Sequence, residues 1–291
     1  MTRDQMAIAS AAGVGGPNHE GVRGLFEDTL SSFTGDVTSV SDVFELLRPD
    51  TPELPRYLLT LQAAADLAQS RGAGRPLQLC DLGGYFGVIT AAISRLGYEA
   101  QLVDSYGPLL EQGQHSDLRA WWNANGVRVH DVDLQSPSLR LPFEDDSFDL
   151  ITLLAVIEHF HNTPRLALQE IRRILRPDGL VIVDTPNAGA LGLRVGFLLH
   201  GEGLWTPAAD LYRSEVPFQG HTRCYSRREL ISVLEWSGLQ PVEVVMLDLD
   251  GARRSPTLRA RVLYDFVYPV LRRRFRDLRG YVWIAARPNA D

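Results

Sequence analysis

The pattern of the sequence changes at Pro76. From there onwards short apolar runs alternate with amphipathic segments. Such alternation is typical of a parallel sheet whose strands are joined by crossover helices. The apolar runs predict seven strands, at residues 77–82, 100–104, 127–131, 148–153, 180–184, 242–247 and 281–286. We therefore expect an α/β fold with an open, doubly wound, seven-stranded Rossmann-like sheet, which binds ligands beyond the carboxyl ends of its strands.

The chain divides at this change of pattern into two expected regions. Residues 1–75 are expected to form a helical N-terminal cap, and residues 76–291 the sheet domain. Apolar residues at helical spacing predict the helices of the cap, at residues 22–30, 43–47 and 55–69.

Two helices of the sheet domain have clear boundary signals. Thr163 followed by Pro164 predicts the start of a helix that ends at residues 177–179. Ser226, with Glu229 three residues later, matches a capping box and predicts a second helix, which Gly238 ends.

Two segments do not fit the alternation. Residues 188–221 are too long for a plain connection and are interpreted as a substrate lid, with an ordinary surface excursion containing a short helix as the alternative. Residues 251–280 are expected to be a basic amphipathic insertion. Within it, residues 257–278 predict either a helix that packs on the sheet with a solvated arginine face or a helix that makes weak contact with a membrane surface.

Composition excludes several classes of protein. The chain has 291 residues and a net charge of −7, which argues against a general nucleic-acid binder. We find no apolar run near the roughly 18–20 residues of a membrane helix and no signal peptide. The two cysteines form neither a metal-binding motif nor a disulfide framework, so a reduced, cytoplasmic setting is expected.

The most informative local motif is a glycine-rich turn after the first predicted strand. The strand ends in an acid, Asp81, and continues into Gly83-Gly84-Tyr85-Phe86-Gly87. Free N–H groups at the start of the following helix favour anionic groups, and Asp104, at the end of the second strand, can accept both hydroxyls of a ribose. The G-x-G-x-x-G spacing of nicotinamide and flavin enzymes is not met, because Tyr85 and Val88 occupy two of its three positions.

These residues resemble the first motif of the class I S-adenosylmethionine (SAM)-dependent methyltransferases, an acid followed by G-x-G-x-G. Asp81, Gly83 and Gly87 match this motif, and Tyr85 replaces its middle glycine. The resemblance covers about residues 76–240 and continues in order through 141–149 (LPFEDDSFD), 156–159 (VIEH) and 171–179 (IRRILRPDG). Residues 184–187 and 221–226 also resemble a subgroup that acts on sugars, quinones and secondary metabolites.

The resemblance implies SAM as cofactor and assigns residues to its three parts. The methionine end is expected at Asp81, Gly83, Gly84, Tyr85 and Gly87, the ribose at Asp104, and the adenine at Asp133 and Leu134, with Asp131 as the alternative acid.

The reaction itself suggests a histidine base. Methyl transfer needs a nucleophile aligned with the sulfonium methyl, and a hydroxyl nucleophile benefits from a base whose pKa is near neutral. His221, at the end of the lid, is the preferred candidate, His159 is the second, and a reaction without a protein base is the third.

The acceptor is expected to be a small molecule. The candidate substrate residues are Arg213, Arg223, Tyr225 and Trp205, although for the two arginines the preferred interpretation is that they are surface residues. No metal is expected, because the acids Glu144, Asp145, Asp146 and Asp149 belong to the family-like turn before the fourth strand.

The predicted reaction is O-methylation of a small or glycosylated metabolite. N- or C-methylation, or a lipid-linked acceptor, remains the alternative within enzymes. A catalytically silent SAM-binding protein is the alternative outside them, because of Tyr85.

Overall fold

The computed structural model describes residues 19–34, 51, 53–72, 74–106, 116–201, 206, 208–214, 218, 220–248, 270–271 and 274–289. The predicted helix at 43–47, Trp205 and most of the segment 257–278 lie outside these residues. The described helices are α1 (His19–Ser31), α2 (Leu54–Arg71), α3 (Val88–Ser94), α4 (Ser116–Ala124), α5 (Arg165–Ile174), α6 (Leu191–His200), α7 (Ala208–Arg213) and α8 (Arg227–Trp236). The strands are β1 (Leu77–Leu82), β2 (Tyr98–Asp104), β3 (Val127–Asp131), β4 (Phe148–Leu154), β5 (Leu175–Pro186), β6 (Leu239–Leu247) and β7 (Tyr281–Pro288).

The seven strands form one sheet, in the order β3-β2-β1-β4-β5-β7-β6. The predicted doubly wound sheet is therefore confirmed. The strand order reverses beside β1, which pairs in parallel with β2 on one side and β4 on the other. This reversal leaves a crevice at the carboxyl ends of β1, β2 and β4, where the glycine-rich turn begins.

The expectation of a parallel sheet is wrong for one strand. β7 lies between β5 and β6 and is antiparallel to both. The chain enters β7 at the carboxyl end of β5, where the backbone carbonyl of Gly280 accepts the N–H of Asn187. The Asn187 side chain also donates to the carbonyls of Asp277 and Arg279. A strand that starts at this edge of the sheet must run opposite to its parallel neighbours.

Apolar side chains cover both faces of the sheet. On one face α1–α4 pack against the strands through a cluster that includes Phe26, Leu61, Leu102, Trp122 and Trp283. On the other face α5 and α8 contribute Leu168, Ile171, Leu230 and Leu234. The helix α2 therefore shares the core of the sheet, although the boundary predicted at residue 75 stays a prediction.

The predicted helix boundaries are partly correct. α8 begins with the complete capping box of Ser226 and Glu229, as expected. The helix predicted from Thr163 begins at Arg165, and it ends at Ile174 instead of 177–179 because Leu175 already pairs with Phe148 of β4. Among the described residues, no helix is long and apolar enough to cross a membrane.

A buried carboxylate stabilises the end of the sheet opposite the crevice. Asp149 is fully buried and accepts two hydrogen bonds from Arg75, at 2.8 and 2.6 Å, and one from Arg176, at 2.5 Å. The N–H of Gln78 donates a further bond at 2.9 Å. Burial alone would raise the pKa of Asp149, but these hydrogen bonds and the arginine charges hold it below its usual value.

We expect Asp149→Asn to lower the free energy of unfolding by about 2 kcal/mol at pH 7, since a hydrogen bond to a charged group contributes about 1.5–3 kcal/mol. The lowered pKa makes this stabilisation present at neutral pH and lost as the pH falls through that pKa. Urea denaturation measures the difference.

The matched control is Asp145→Asn. Asp145 pairs with Arg173 but its side chain is 68% exposed, so its replacement should cost less than about 1 kcal/mol. Equal stability of the wild type and Asp149→Asn at pH 7 would contradict this account of the sheet.

Candidate cofactor and acceptor site

Steric constraints require glycine at three positions after β1. Gly83 has φ +71°, and a Cβ there would lie 2.5 Å from Cγ2 of Val156. A Cβ on Gly84 would overlap the carboxylate of Asp81. Gly87 has φ +78°, and a Cβ there would lie 2.7 Å from Leu102 and 3.0 Å from the indole nitrogen of Trp122. The three glycines are therefore closely packed against neighbouring side chains. We call this turn, residues 83–87 at the start of α3, the cradle.

Tyr85 is the third residue of this turn and has a backbone conformation that favours glycine. Its φ is +46°, and its side chain is 37% exposed. The backbone is held from both sides: the Tyr85 N–H donates to Asp104 at 2.9 Å, and the Tyr106 hydroxyl donates to the Tyr85 carbonyl. These bonds offset the strain of a side chain in the left-handed region, so the tyrosine does not disrupt the turn.

Asp81 lies beneath the turn. Its carboxylate is buried and accepts the hydroxyls of Thr90, at 2.5 Å, and Thr152, at 2.7 Å. Burial raises the pKa of Asp81 to about 6, against the opposing effect of the two threonine bonds. The carboxylate therefore joins β1 to α3 and β4, and a direct contact with a cofactor stays a prediction.

Asp104 lies at the edge of the turn, at the end of β2. Its two oxygens accept the N–H groups of Tyr85 and, at 2.7 Å, of Ser105. Burial raises the pKa of Asp104, although these bonds act against the increase. Each carboxylate oxygen has a second lone pair, so Asp104 keeps the capacity to accept ligand hydroxyls.

The candidate adenine residues lie at the end of β3 (Asp131) and just after it (Asp133 and Leu134). Asp131 accepts the N–H of Tyr106 at 2.8 Å, and Asp133 accepts the N–H of Gln135 at 2.8 Å. Both acids therefore hold backbone turns. Leu134 is buried and lines a cleft of about 260 Å³ with Phe160 and Leu166. Polar residues also line this cleft (Gln135, Ser136, Asn162 and Thr163), so it offers both apolar surface and polar groups to a flat heteroaromatic ring.

The two candidate base residues, His159 and His221, lie side by side. Their ring centroids are 4.8 Å apart, and the rings are nearly perpendicular. The chain reaches this arrangement because Thr222 and Arg223 donate their N–H groups to the carbonyl of Glu158, at 2.8 and 3.2 Å. Burial and the neighbouring His159 lower the pKa of His221. A lowered pKa keeps the imidazole neutral, as a general base requires.

A short chain of contacts joins this histidine pair to the glycine-rich turn. The side chain of Val156 packs against Gly83, and the carbonyl of Val156 accepts the N–H of His159 at 2.9 Å. The loop that carries His159 is therefore attached, through Val156, to the wall of the cradle.

Glu158 is a buried acid next to the histidine pair. One of its oxygens accepts the hydroxyl of Thr185 at 3.0 Å, and the other has no hydrogen-bond partner within the described residues. Burial raises the pKa of Glu158 to about 8. Glu158, His159 and His221 offer ligand atoms that all lie within 4.8 Å of one another, a geometry that could hold a divalent cation. Sequence analysis identified the two histidines but not the buried Glu158 carboxylate beside them, and the expectation of no metal stays a prediction.

Two of the four acids at residues 144–149, for which no metal is expected, form ion pairs. Asp145 pairs with Arg173 at 2.8 Å, and Asp149 pairs with Arg75 and Arg176. These contacts give both acids a structural role.

The candidate substrate residues are only partly brought together. Tyr225 is buried, and Asn187 at the end of β5 forms a bridge with it. Arg223 lies over the Tyr225 ring at 5.4 Å and pairs with Glu229 at 3.1 Å. Arg213 is exposed at the end of α7, and Trp205 lies outside the described residues.

Sequence reasoning missed a buried ion pair at the same edge of the sheet. Arg56 of α2 donates to both oxygens of Asp184, at 3.2 Å each, at the end of β5. The available signal was an arginine among the apolar residues of a predicted helix, paired with an acid that ends a strand.

The comparisons with known proteins agree with this geometry. A model of a methyltransferase domain matches residues 52–244. The ubiquinone biosynthesis O-methyltransferase of Rickettsia conorii is 25% identical over 177 residues, which are 60% of this chain and 56% of that protein. A demethylmenaquinone methyltransferase of Bacillus cereus is 28% identical over 121 residues, which are 38% of this chain and 49% of that protein. The chain thus spans about half the length of these curated relatives.

Solved structures share the fold at low identity. A putative S-adenosylmethionine-dependent methyltransferase from Listeria monocytogenes aligns with a TM-score of 0.51 at 13% identity, over 81% of this chain and 100% of that one. A putative methyltransferase solved in a complex with the Trm112 activator of Haloferax volcanii also gives a TM-score of 0.51, at 18% identity, over 81% of this chain and 92% of that one. The family match spans most of the sheet, and the motifs occur in the family's order, so the chain belongs to the class I SAM-dependent methyltransferases.

Proposed function

We propose that the protein transfers a methyl group from SAM to a hydroxyl of a small or glycosylated metabolite. The observation that carries the proposal is the contact of Val156 with Gly83, because it attaches the loop that carries His159, the neighbour of His221, to the glycine-rich turn. The R. conorii relative, named as an O-methyltransferase of ubiquinone biosynthesis, supports an oxygen nucleophile and a ring-bearing acceptor.

The residues fit the cofactor, since the turn begins at the carboxyl end of β1, where the strand order reverses, and Asp104 beside it keeps lone pairs for ligand hydroxyls. In our proposal the backbone of residues 83–87 holds the methionine end, and Asp104 accepts the ribose hydroxyls. Asp133 and Leu134, or Asp131 as the alternative acid, contact the adenine. When bound, SAM supplies an electrophilic methyl group on a sulfonium.

The side chains around the cradle act on the acceptor. His221 removes the proton of the acceptor hydroxyl, with His159 as the second candidate. Arg223, Tyr225, Arg213 and Trp205 are the proposed acceptor contacts. The segment 188–221 covers the acceptor, an interpretation supported by the exposed apolar side chains Phe197 and Leu198 of α6 and Leu211 and Tyr212 of α7.

We expect Asp104→Ala to weaken SAM binding about tenfold or more, because the ribose hydroxyls lose a charged acceptor whose hydrogen bonds contribute about 1.5–3 kcal/mol. Isothermal titration calorimetry measures the affinity. Glu99→Ala is the matched control, since Glu99 is an exposed acid near the other end of β2. Unchanged affinity in a folded Asp104→Ala variant, or competition between NADH and SAM, would contradict the assignment.

We expect His221→Ala to lower turnover by about 10²–10⁴, with little change in SAM affinity, because the base acts on the acceptor. Turnover is measured as transfer of a labelled methyl group to candidate hydroxylated acceptors. The wild-type rate should rise with pH as His221 loses its proton. The lowered pKa of His221 puts this rise below pH 6.5. The variant should lose the rise.

His159→Ala is the matched variant and should cost less turnover. If both variants keep the wild-type rate and pH profile, neither histidine is the base. Turnover should also survive EDTA. Its loss, with recovery on adding a divalent cation, would instead assign the Glu158, His159 and His221 cluster to a metal.

A wild-type chain that binds SAM but methylates no acceptor would favour the catalytically silent alternative. Transfer to nitrogen or carbon, or to a lipid-linked acceptor, would favour the alternative enzymes.

A further inference from the structure

The side chain of Arg56 anchors the helix α2 to the carboxyl end of β5. Its guanidinium group is nearly fully buried, and one nitrogen donates to both oxygens of Asp184 at 3.2 Å. The other nitrogens donate to Glu53 at 3.0 Å and to the hydroxyl of Tyr57 at 2.5 Å. The group also lies over the ring of Tyr281, at 5.5 Å. A buried cation is tolerated only when it is paired, so this contact fixes where the helix sits.

Asp184 connects Arg56 to the turn after β4 through hydrogen bonds. It is fully buried, and Oδ1, one of the two oxygens that Arg56 contacts, also accepts the N–H of Ala155 at 2.7 Å. The same N–H lies 3.1 Å from the Asp184 carbonyl. Ala155 has φ +54°, a left-handed conformation that is unfavourable for a residue with a Cβ. The hydrogen bonds to Asp184 therefore hold a strained turn in place.

The direction of the chain at Ala155 decides where the next residues lie. Val156 follows directly and packs against Gly83 in the cofactor cradle. Its carbonyl accepts the N–H of His159, which is part of the histidine pair. A change of conformation at Ala155 would therefore move both the wall of the cradle and the candidate base.

We propose that Arg56 is a positioning residue: by holding Asp184, it fixes the left-handed turn at Ala155 and so sets Val156 against the cofactor cradle. The helix α2 then contributes, through Arg56, to the geometry of the cofactor site. Only the effect on the cofactor rests on the proposed function; the effect on the turn does not.

Arg71 in the same helix provides a control for any effect that comes only from weaker packing of α2 on the sheet. Arg71, at the end of α2, pairs with the carboxylate of Asp178 and donates to its carbonyl at 2.6 Å. Asp178 lies six residues before Asp184 in β5, towards the opposite edge of the sheet. The loss of Arg71 would weaken the docking of α2 without acting on the turn at Ala155.

Two variants of the pair avoid leaving a buried charge alone. Arg56→Lys keeps the positive charge but loses the planar fork that contacts Asp184, Glu53 and Tyr57 together. The double variant Arg56→Met with Asp184→Asn removes both charges, which is often tolerated when the replacements have similar volume. Arg71→Met is the control.

The experiment measures three quantities for each folded protein: the hydrogen-exchange rate of the Ala155 amide without ligand, the affinity for S-adenosylhomocysteine by calorimetry, and the melting temperature. We expect both Arg56 variants to exchange the Ala155 amide about tenfold faster and to bind S-adenosylhomocysteine about tenfold more weakly, because residue 184 is no longer held in place to accept the Ala155 N–H; a tenfold change corresponds to the weakening of about one hydrogen bond. Arg71→Met should lower the melting temperature and leave the other two quantities unchanged.

Unchanged Ala155 exchange in the folded Arg56 variants would overturn the proposal, as would an equal effect of Arg71→Met. Faster exchange with unchanged affinity would overturn the link to the cofactor. If the wild type binds no S-adenosylhomocysteine, the proposed function fails, and the exchange rates still decide whether Arg56 fixes the turn.

Discussion

The site depends on the close approach of two turns, one after β1 and one after β4. Gly83 and Val156 meet at a distance that no larger residue than glycine would allow at position 83. This contact has two consequences. It forms one wall of the glycine-rich turn, residues 83–87, at the start of α3. It also brings the segment that carries Glu158 and His159 next to that cradle, because the carbonyl of Val156 accepts the N–H of His159.

The buried polar groups around this contact come from parts of the chain that are far apart in sequence. Asp81 joins β1 to α3 and β4 through Thr90 and Thr152. Asp184 joins β5 to α2 and to the turn at Ala155. Each carboxylate is buried at the carboxyl end of its strand and accepts hydrogen bonds from different elements. Buried acids thus align the strand ends, while the more exposed Asp104 keeps lone pairs for a ligand.

Local patterns predicted most of the fold, and tertiary contacts explain the differences. The seven strands, the turn at 83–87 and the capping box at Ser226 follow from local spacing and chemistry, and all are present. The antiparallel direction of β7 depends on the contacts of Asn187 with residues 277–280, about 90 positions away. The pairing of Arg56 with Asp184 spans 128 positions, and the meeting of His159 and His221 depends on loops held by Glu158. No local pattern encodes such contacts. The residues that bind cofactor and acceptor therefore stay predictions even where their positions are clear.

The most direct measurement is a crystal structure of the chain with S-adenosylhomocysteine. The ribose hydroxyls of S-adenosylhomocysteine should contact the carboxylate of Asp104, and its amino-acid end should lie against the backbone of residues 83–87. The sulfur should face the space beside His159 and His221, within several ångströms of one of the two rings. A ligand bound away from residues 83–87, or a sulfur directed away from both histidines, would contradict the account.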